Sequence, residues 1–145
     1  MMHDLLLADD DCDDCLFFQE ALDELPMDCI LTTVNDGVAL MAYLTQSTSR
    51  LPKALFLDLN MPLKSGFECL SEIRSIEHLK QLPVIIFSTS FDTEVIHSLY
   101  ANGASYYIRK PGEFDSLKYV IEEAIRRVDV SNFTQPARNH FIIQP

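Results

Sequence analysis

No apolar run in the sequence approaches the roughly 20 residues that a membrane-crossing helix needs. The stretch Leu5-Leu6-Leu7-Ala8 is too short for the core of a signal peptide and has no basic flank. Basic side chains are scarce. Eleven Lys and Arg stand against 22 Asp and Glu, giving a net charge of −11 and a pI near 4.6. That balance argues against direct binding to DNA, RNA or an anionic membrane, all of which need clustered Lys and Arg. It suits divalent cations or a basic partner surface instead. A cytoplasmic protein is expected. The Cys12-Asp13-Asp14-Cys15 pair has no second CxxC and no matching pair of His to close a zinc site. Five Asp between positions 9 and 14 should raise thiol pKa, the reverse of what a redox pair requires. These cysteines read as ordinary residues of a helix start.

What is present suits one folded domain. The chain has 145 residues, 48% of them hydrophobic and 23% charged, with no repeat or low-complexity segment. Residues 4–8 read as a first strand and 13–25 as a helix, with Phe17, Phe18, Ala21, Leu22 and Leu25 at helical spacing. Residues 29–34 are rich in β-branched side chains and form a second strand. A second helix carries Leu40, Met41 and Leu44 to about Gln46, and a polar loop covers 47–52. Residues 54–58 are a third strand. Ser65 starts a helix whose expected apolar face is Phe67, Leu70 and Ile73. Residues 83–87 are a fourth buried strand, followed by a helix with Val95, Ile96 and Leu99. Asn102-Gly103 stops that helix. Residues 105–108 are a fifth strand, and a last helix over about 113–128 carries Phe114, Leu117, Ile121, Ala124, Ile125 and Val128. Strands alternating with helices imply a parallel sheet covered on both faces.

The most informative stretch is Leu55-Phe56-Leu57-Asp58-Leu59-Asn60-Met61-Pro62. Pro62 has no N–H and biases Met61 away from helix, so the buried strand ends near Asp58. A carboxylate at a strand mouth can be a nucleophile, a metal ligand or a helix cap. In a parallel sheet, functional groups gather at the carboxyl ends of the strands. Asp9 and Asp10 follow the first strand, Asp58 the third, Ser88 the fourth and Lys110 the fifth. Converging carboxylates repel one another, and a divalent cation relieves that repulsion. Mg²⁺ takes oxygen ligands and keeps waters that a phosphate can replace. Phosphoryl transfer to an Asp carboxylate is the chemistry that such a set supports.

The chain resembles the receiver domain of two-component response regulators. The resemblance rests on Ala8-Asp9-Asp10-Asp11, on Leu57 to Pro62 with Gly66, on Pro83 to Ser88, and on Gly103 to Pro111. It covers about residues 4–128. It implies a flavodoxin-like, doubly wound five-stranded parallel sheet, order 2-1-3-4-5, with five helices. It implies that Asp58 accepts a phosphoryl group from a phosphohistidine on a sensor histidine kinase or a histidine phosphotransfer protein. Asp10, Asp58 and the backbone carbonyl of Asn60 become direct Mg²⁺ ligands, and Asp9 a ligand through water. Lys110 binds the phosphoryl group, and its bond to Pro111 is expected to be cis. Ser88 becomes the switch hydroxyl, and Tyr107 the aromatic that swings inward with it. Tyr106, on the opposite face of the strand, belongs to surface or core packing. Position 88 is Ser where Thr is frequent in the family, which keeps the hydroxyl and loses the methyl that fixes its rotamer.

The division expected is a receiver domain over 1–128 and a tail over 129–145, too short for a DNA-binding effector. The protein would then signal through a downstream protein target or pass its phosphoryl group onward. Receivers of this type often pair through the fourth and fifth helices and the fifth strand, so a homodimer is also an expectation of the resemblance. The tail has apolar residues at Phe133, Phe141, Ile142 and Ile143 and no acidic residue from 133 to 143. It reads either as a frayed end or as a docking segment, such as an added strand. Two other functions remain open. A metal-dependent phosphohydrolase forming an aspartyl-phosphate would need an acid two residues after Asp58, where Asn60 stands. A constitutive interaction module would ignore phosphorylation.

Overall fold

The computed structural model describes residues 2–46, 50–131 and 134–145. Positions 47–49 of the expected polar loop, and Phe133 of the tail, lie outside the described residues. Strands β1 (His3–Ala8), β2 (Cys29–Val34), β3 (Ala54–Leu57), β4 (Val84–Ser88), β5 (Tyr106–Arg109) and β6 (Ile142–Ile143) form one sheet in the order β2-β1-β3-β4-β5-β6. Every pairing is parallel. The helices are α1 (Cys12–Asp23), α2 (Gly37–Gln46), α3 (Gly66–Ser75), α4 (Thr93–Ala101) and α5 (Phe114–Ser131), with 3₁₀ turns at Glu77–Leu79 and Arg138–His140. No described helix is long and apolar enough to cross a membrane.

The sheet separates two cores, as the two-residue alternation of side chains along a strand requires. Leu5 and Leu7 point to the face covered by α1 and α5, where Phe18, Leu117, Ile121 and Ile125 are buried with Phe56 and Phe87. Leu6 and Ala8 point to the other face, against Leu40 and Leu44 of α2, Cys69, Leu70 and Ile73 of α3, and Ile96 and Leu99 of α4. Strands β1, β3 and β4 have neighbours on both sides and are buried almost throughout. The edge strand β2 is half-exposed.

Two expectations need correction here. Phe67 is 41% exposed and Cys69 fills the buried position instead. Ser65 caps α3 through a capping box with Glu68. Gly66, Cys69, Leu70 and Ile73 share the buried face of the helix, which leaves Phe67 off its centre and toward solvent. The sheet also has six strands, not five. The tail docks: Ile142 and Ile143 pair with Tyr107 and Ile108, and Phe141 is fully buried against Tyr100 at 5.0 Å between ring centroids. Gln135 donates to the carbonyls of Tyr100 and Ala104, and the Tyr100 hydroxyl donates to the carbonyl of Pro136. A frayed end is therefore excluded for 134–145, and β6 covers the β5 edge that would otherwise be unpaired.

Candidate functional site

The carboxyl ends of β1, β3 and β5 converge, and each contributes through the residues just beyond the strand. Asp9 and Asp10 follow β1. Asp58 follows β3, its N–H donating to the Ala8 carbonyl at 3.0 Å. Lys110 follows β5, its N–H donating to the Ser88 carbonyl at 2.8 Å. The parallel ladder thus places all four groups at one end. Asp9 is fully buried and Asp58 nearly so, while Asp10 is exposed.

One carboxylate oxygen from each of Asp9, Asp10 and Asp58 lies within 4.8 Å of the others, a set that could hold a divalent metal. The donors fit a hard cation, being oxygens only. Among the described residues no backbone hydrogen bond claims the Asn60 carbonyl, which leaves it available as a further ligand. Lys110 donates to Asp9 Oδ2 at 2.7 Å and to Asp14 Oδ2 at 2.9 Å, and its Nζ lies 3.6 Å from Asp58 Oδ2. Its ammonium also sits 5.5 Å from the centre of the Phe87 ring.

The charge balance is uneven. Burial pushes the Asp58 carboxyl up to about 6; Lys110 pulls it back, Asp9 adds to the rise, and hydrogen bonds from the backbone of Leu59 and Asn60 oppose it. The Leu59 N–H donates to Asp58 Oδ1 at 2.8 Å. Burial works against the Lys110 ammonium too, but hydrogen bonds to Asp14 and Asp9 and the charge of Asp58 outweigh it and raise its pKa. Burial and the nearby Asp9 push the Cys15 thiol up to about 11, which works against a reactive thiolate at that position. All four cysteines are free.

Local chain geometry fixes the site. Gly66 passes so close to the Asp58 backbone that a Cβ there would fall 2.2 Å from the Asp58 carbonyl oxygen. Gly37 is held as tightly against Lys64, with a Cβ position 2.0 Å from its carbonyl oxygen. Asp11 caps α1, accepting from the N–H groups of Asp13 and Asp14. Asp9 Oδ1 accepts from the Asp11 N–H at 3.0 Å, which ties the cap to the acidic cluster.

Ser88 is fully buried at the end of β4, and its hydroxyl accepts from the Ser90 N–H at 3.2 Å. Tyr107 is also fully buried. Its ring packs with Phe91 and Phe141, and its hydroxyl donates to the Ser90 carbonyl. The aromatic therefore stands inward in this structure. Tyr106 is buried on the opposite face, with the α1 and α5 core. The Lys110–Pro111 bond is trans, not cis as expected. For an X–Pro bond the two isomers differ by only about 0.5–1 kcal/mol, with trans preferred, and the trans bond here leaves the lysine within reach of its partners. Asp14 is the site residue that sequence reasoning missed. Its signal was a place in the first turn of the helix that Asp11 caps directly after the first strand, which keeps it beside the strand ends.

The chain is similar to Response regulator Rcp1 of Synechocystis, with 31% identity over 137 residues, 92% of each protein. It is 30% identical to the probable methanogenesis regulatory protein FilR2 of Methanothrix harundinacea, over 82% of this chain and 79% of that one. Among solved structures it resembles the phosphorylated cyanobacterial phytochrome response regulator RcpA, at 33% identity and a TM-score of 0.80, covering 94% of this chain and all of that one. It also resembles the Mn²⁺-bound form of Rcp1, at 30% identity and a TM-score of 0.71, covering 93% and 99%. The model of the response regulator receiver domain matches residues 5–122, and the chain belongs to that family, the phosphoacceptors of two-component signalling.

Proposed function

We propose that Asp58 is the phosphoacceptor of this response regulator, and that it takes its phosphoryl group from a phosphohistidine on a sensor histidine kinase or a histidine phosphotransfer protein. The observation that carries the reading is the meeting of Asp9, Asp10 and Asp58 with Lys110 at the ends of three adjacent or near-adjacent strands. In the step, an Asp58 carboxylate oxygen bonds to phosphorus. The phosphorus–nitrogen bond to the donor imidazole breaks, and its electron pair returns to the ring, which is then free to take a proton. Asp10, Asp58 and the Asn60 carbonyl would hold Mg²⁺ directly, with Asp9 acting through water. Bound there, Mg²⁺ supplies charge neutralisation for the phosphoryl oxygens. Lys110 supplies a second positive charge to the same oxygens. Ser88 exchanges its contact with the Ser90 N–H for a hydrogen bond to the phosphoryl group, and Tyr107, already inward, is held there as the switch residue.

The receiver module takes residues 1–128 and the tail 129–145, of which 134–145 pack on the module's β5 edge. The protein acts in the cytoplasm as a phosphoacceptor rather than a turnover enzyme, and its output is phosphorylation-dependent contact with a downstream protein target or onward phosphotransfer. Self-association into a homodimer through α4, β5 and α5 belongs to the same reading, and it would have to form over the tail, since β6 covers the β5 edge and Phe141 packs on Tyr100 of α4. A phosphohydrolase is disfavoured because Asn60 offers an amide where that chemistry needs an acid. Incubation with acetyl phosphate and Mg²⁺ tests the reading: one phosphoryl group per chain, lost slowly and not taken up in EDTA, is expected. Sustained hydrolysis of phosphate esters over many turnovers would overturn it.

A further inference from the structure

We propose that Asp14 is a positioning residue that holds the Lys110 ammonium off Asp58 and so keeps the acidic cluster open to a divalent cation. The inference rests on the reading of that cluster as the metal and phosphoryl site. A lysine ammonium has three hydrogens to give. Two go to Asp9 Oδ2 at 2.7 Å and Asp14 Oδ2 at 2.9 Å, whereas Asp58 Oδ2, at 3.6 Å, lies beyond hydrogen-bond reach. The lysine side chain is only 10% exposed, so the groups already around it are the readiest replacements for a contact that is lost. If the Asp14 carboxylate is removed, Asp58 is the nearest anion not already bonded to the ammonium, and closing on it replaces the lost contact. The oxygen then engaged is one that a metal would use.

Asp14 is well placed for this task. It lies in the first turn of α1, where its own N–H donates to the Asp11 cap at 3.2 Å. Its position is therefore set by the same cap that ties α1 to Asp9. It is not one of the three clustered carboxylates, so a bound cation leaves its contact with Lys110 in place. Asp13, beside it, is exposed and offers a charge-matched control on the same turn.

Calorimetric titration of Mg²⁺ into the full chain tests the proposal without any phosphoryl chemistry. Asp14→Asn is expected to weaken binding about tenfold, as loss of a residue that supports metal ligands does. Asp13→Asn removes the same charge from the same turn and is expected to change it less than about twofold. Asp14→Glu, which restores the carboxylate, should recover most of the loss. In a Lys110→Ala background Asp14→Asn should have no further effect, because the residue acts through the lysine. Equal losses in Asp14→Asn and Asp13→Asn would reduce the effect to general charge and overturn the proposal. So would tighter binding in Asp14→Asn, or an undiminished loss in the Lys110→Ala background. A wild type that binds no Mg²⁺ would overturn the reading of the site itself, an outcome distinct from any of these.

Discussion

The two ends of the sheet pair carboxylates with positive charge to different degrees. At the carboxyl end, Lys110 serves Asp9 and Asp14 and faces Asp58, with Asp10 alongside, so negative charge is in excess. At the amino end, Asp129 of α5 is shared by Lys53, at 2.5 Å, and His3 of β1, at 3.2 Å. The two carboxyls respond in opposite directions. Burial lifts Asp58 to about 6, despite Lys110. Burial also works against Asp129, but its hydrogen bonds to Lys53 and His3 outweigh it and hold its carboxyl below the usual range. One end is a satisfied ion cluster that ties strand to helix. The other is under-neutralised and is relieved by whatever brings positive charge.

The contrast can be broken most sharply at Gly66. Gly66→Ala drives a Cβ to 2.2 Å from the Asp58 carbonyl oxygen. Neither backbone can yield cheaply, so a loss of about 3 kcal/mol or more and of Mg²⁺ binding is expected, measured by urea denaturation and calorimetry. Asp58→Asn should act in the opposite direction. A carboxyl whose folded pKa is raised contributes stability below its unfolded value, near 3.9, and loses it as pH rises through about 6. Ionised Asp58 therefore strains the metal-free domain at neutral pH. The Asn variant should be more stable there by roughly 3 kcal/mol, with no gain below about pH 4. Saturating Mg²⁺ should raise the wild-type melting temperature and abolish the difference.

At the amino end the sign reverses. Asp129→Asn should lower stability, by no more than about 1 kcal/mol because the pair is partly exposed. A carboxyl with a depressed folded pKa contributes stability above its unfolded value and loses it as pH falls through the folded one. The loss in Asp129→Asn should therefore be present at neutral pH and vanish in acid. Denaturation midpoints from pH 2 to 7 check it, and a stabilising Asp129→Asn would erase the contrast between the two ends.

How far the sequence disclosed this arrangement depended on whether a local pattern carried the information. Buried strands at 54–57 and 84–88 were legible because an apolar run bounded by Pro and polar residues has few alternatives. The site residues Asp9, Asp10, Asp58, Ser88 and Lys110 could be placed because each directly ends or follows such a strand. Phe67 was misplaced because Leu70 and Ile73 fit two helical faces, and the one actually buried is centred on Gly66 and Cys69 rather than on Phe67. Strand β6 was one of two readings for the tail. Two residues have no period, and what they pair with, Tyr107 and Ile108, lies far away in sequence. The pairing of Asp14 with Lys110, 96 residues apart, is likewise visible only once the strand order is known.

The account stands on Asp58 as the acceptor. Intact mass spectrometry after incubation with acetyl phosphate, with and without Mg²⁺, on wild type and Asp58→Ala, tests that most directly. A single phosphoryl adduct on wild type, absent without Mg²⁺ and absent from Asp58→Ala, is the result predicted. An adduct that persists on Asp58→Ala, or none on a folded, metal-bound wild type, would contradict it.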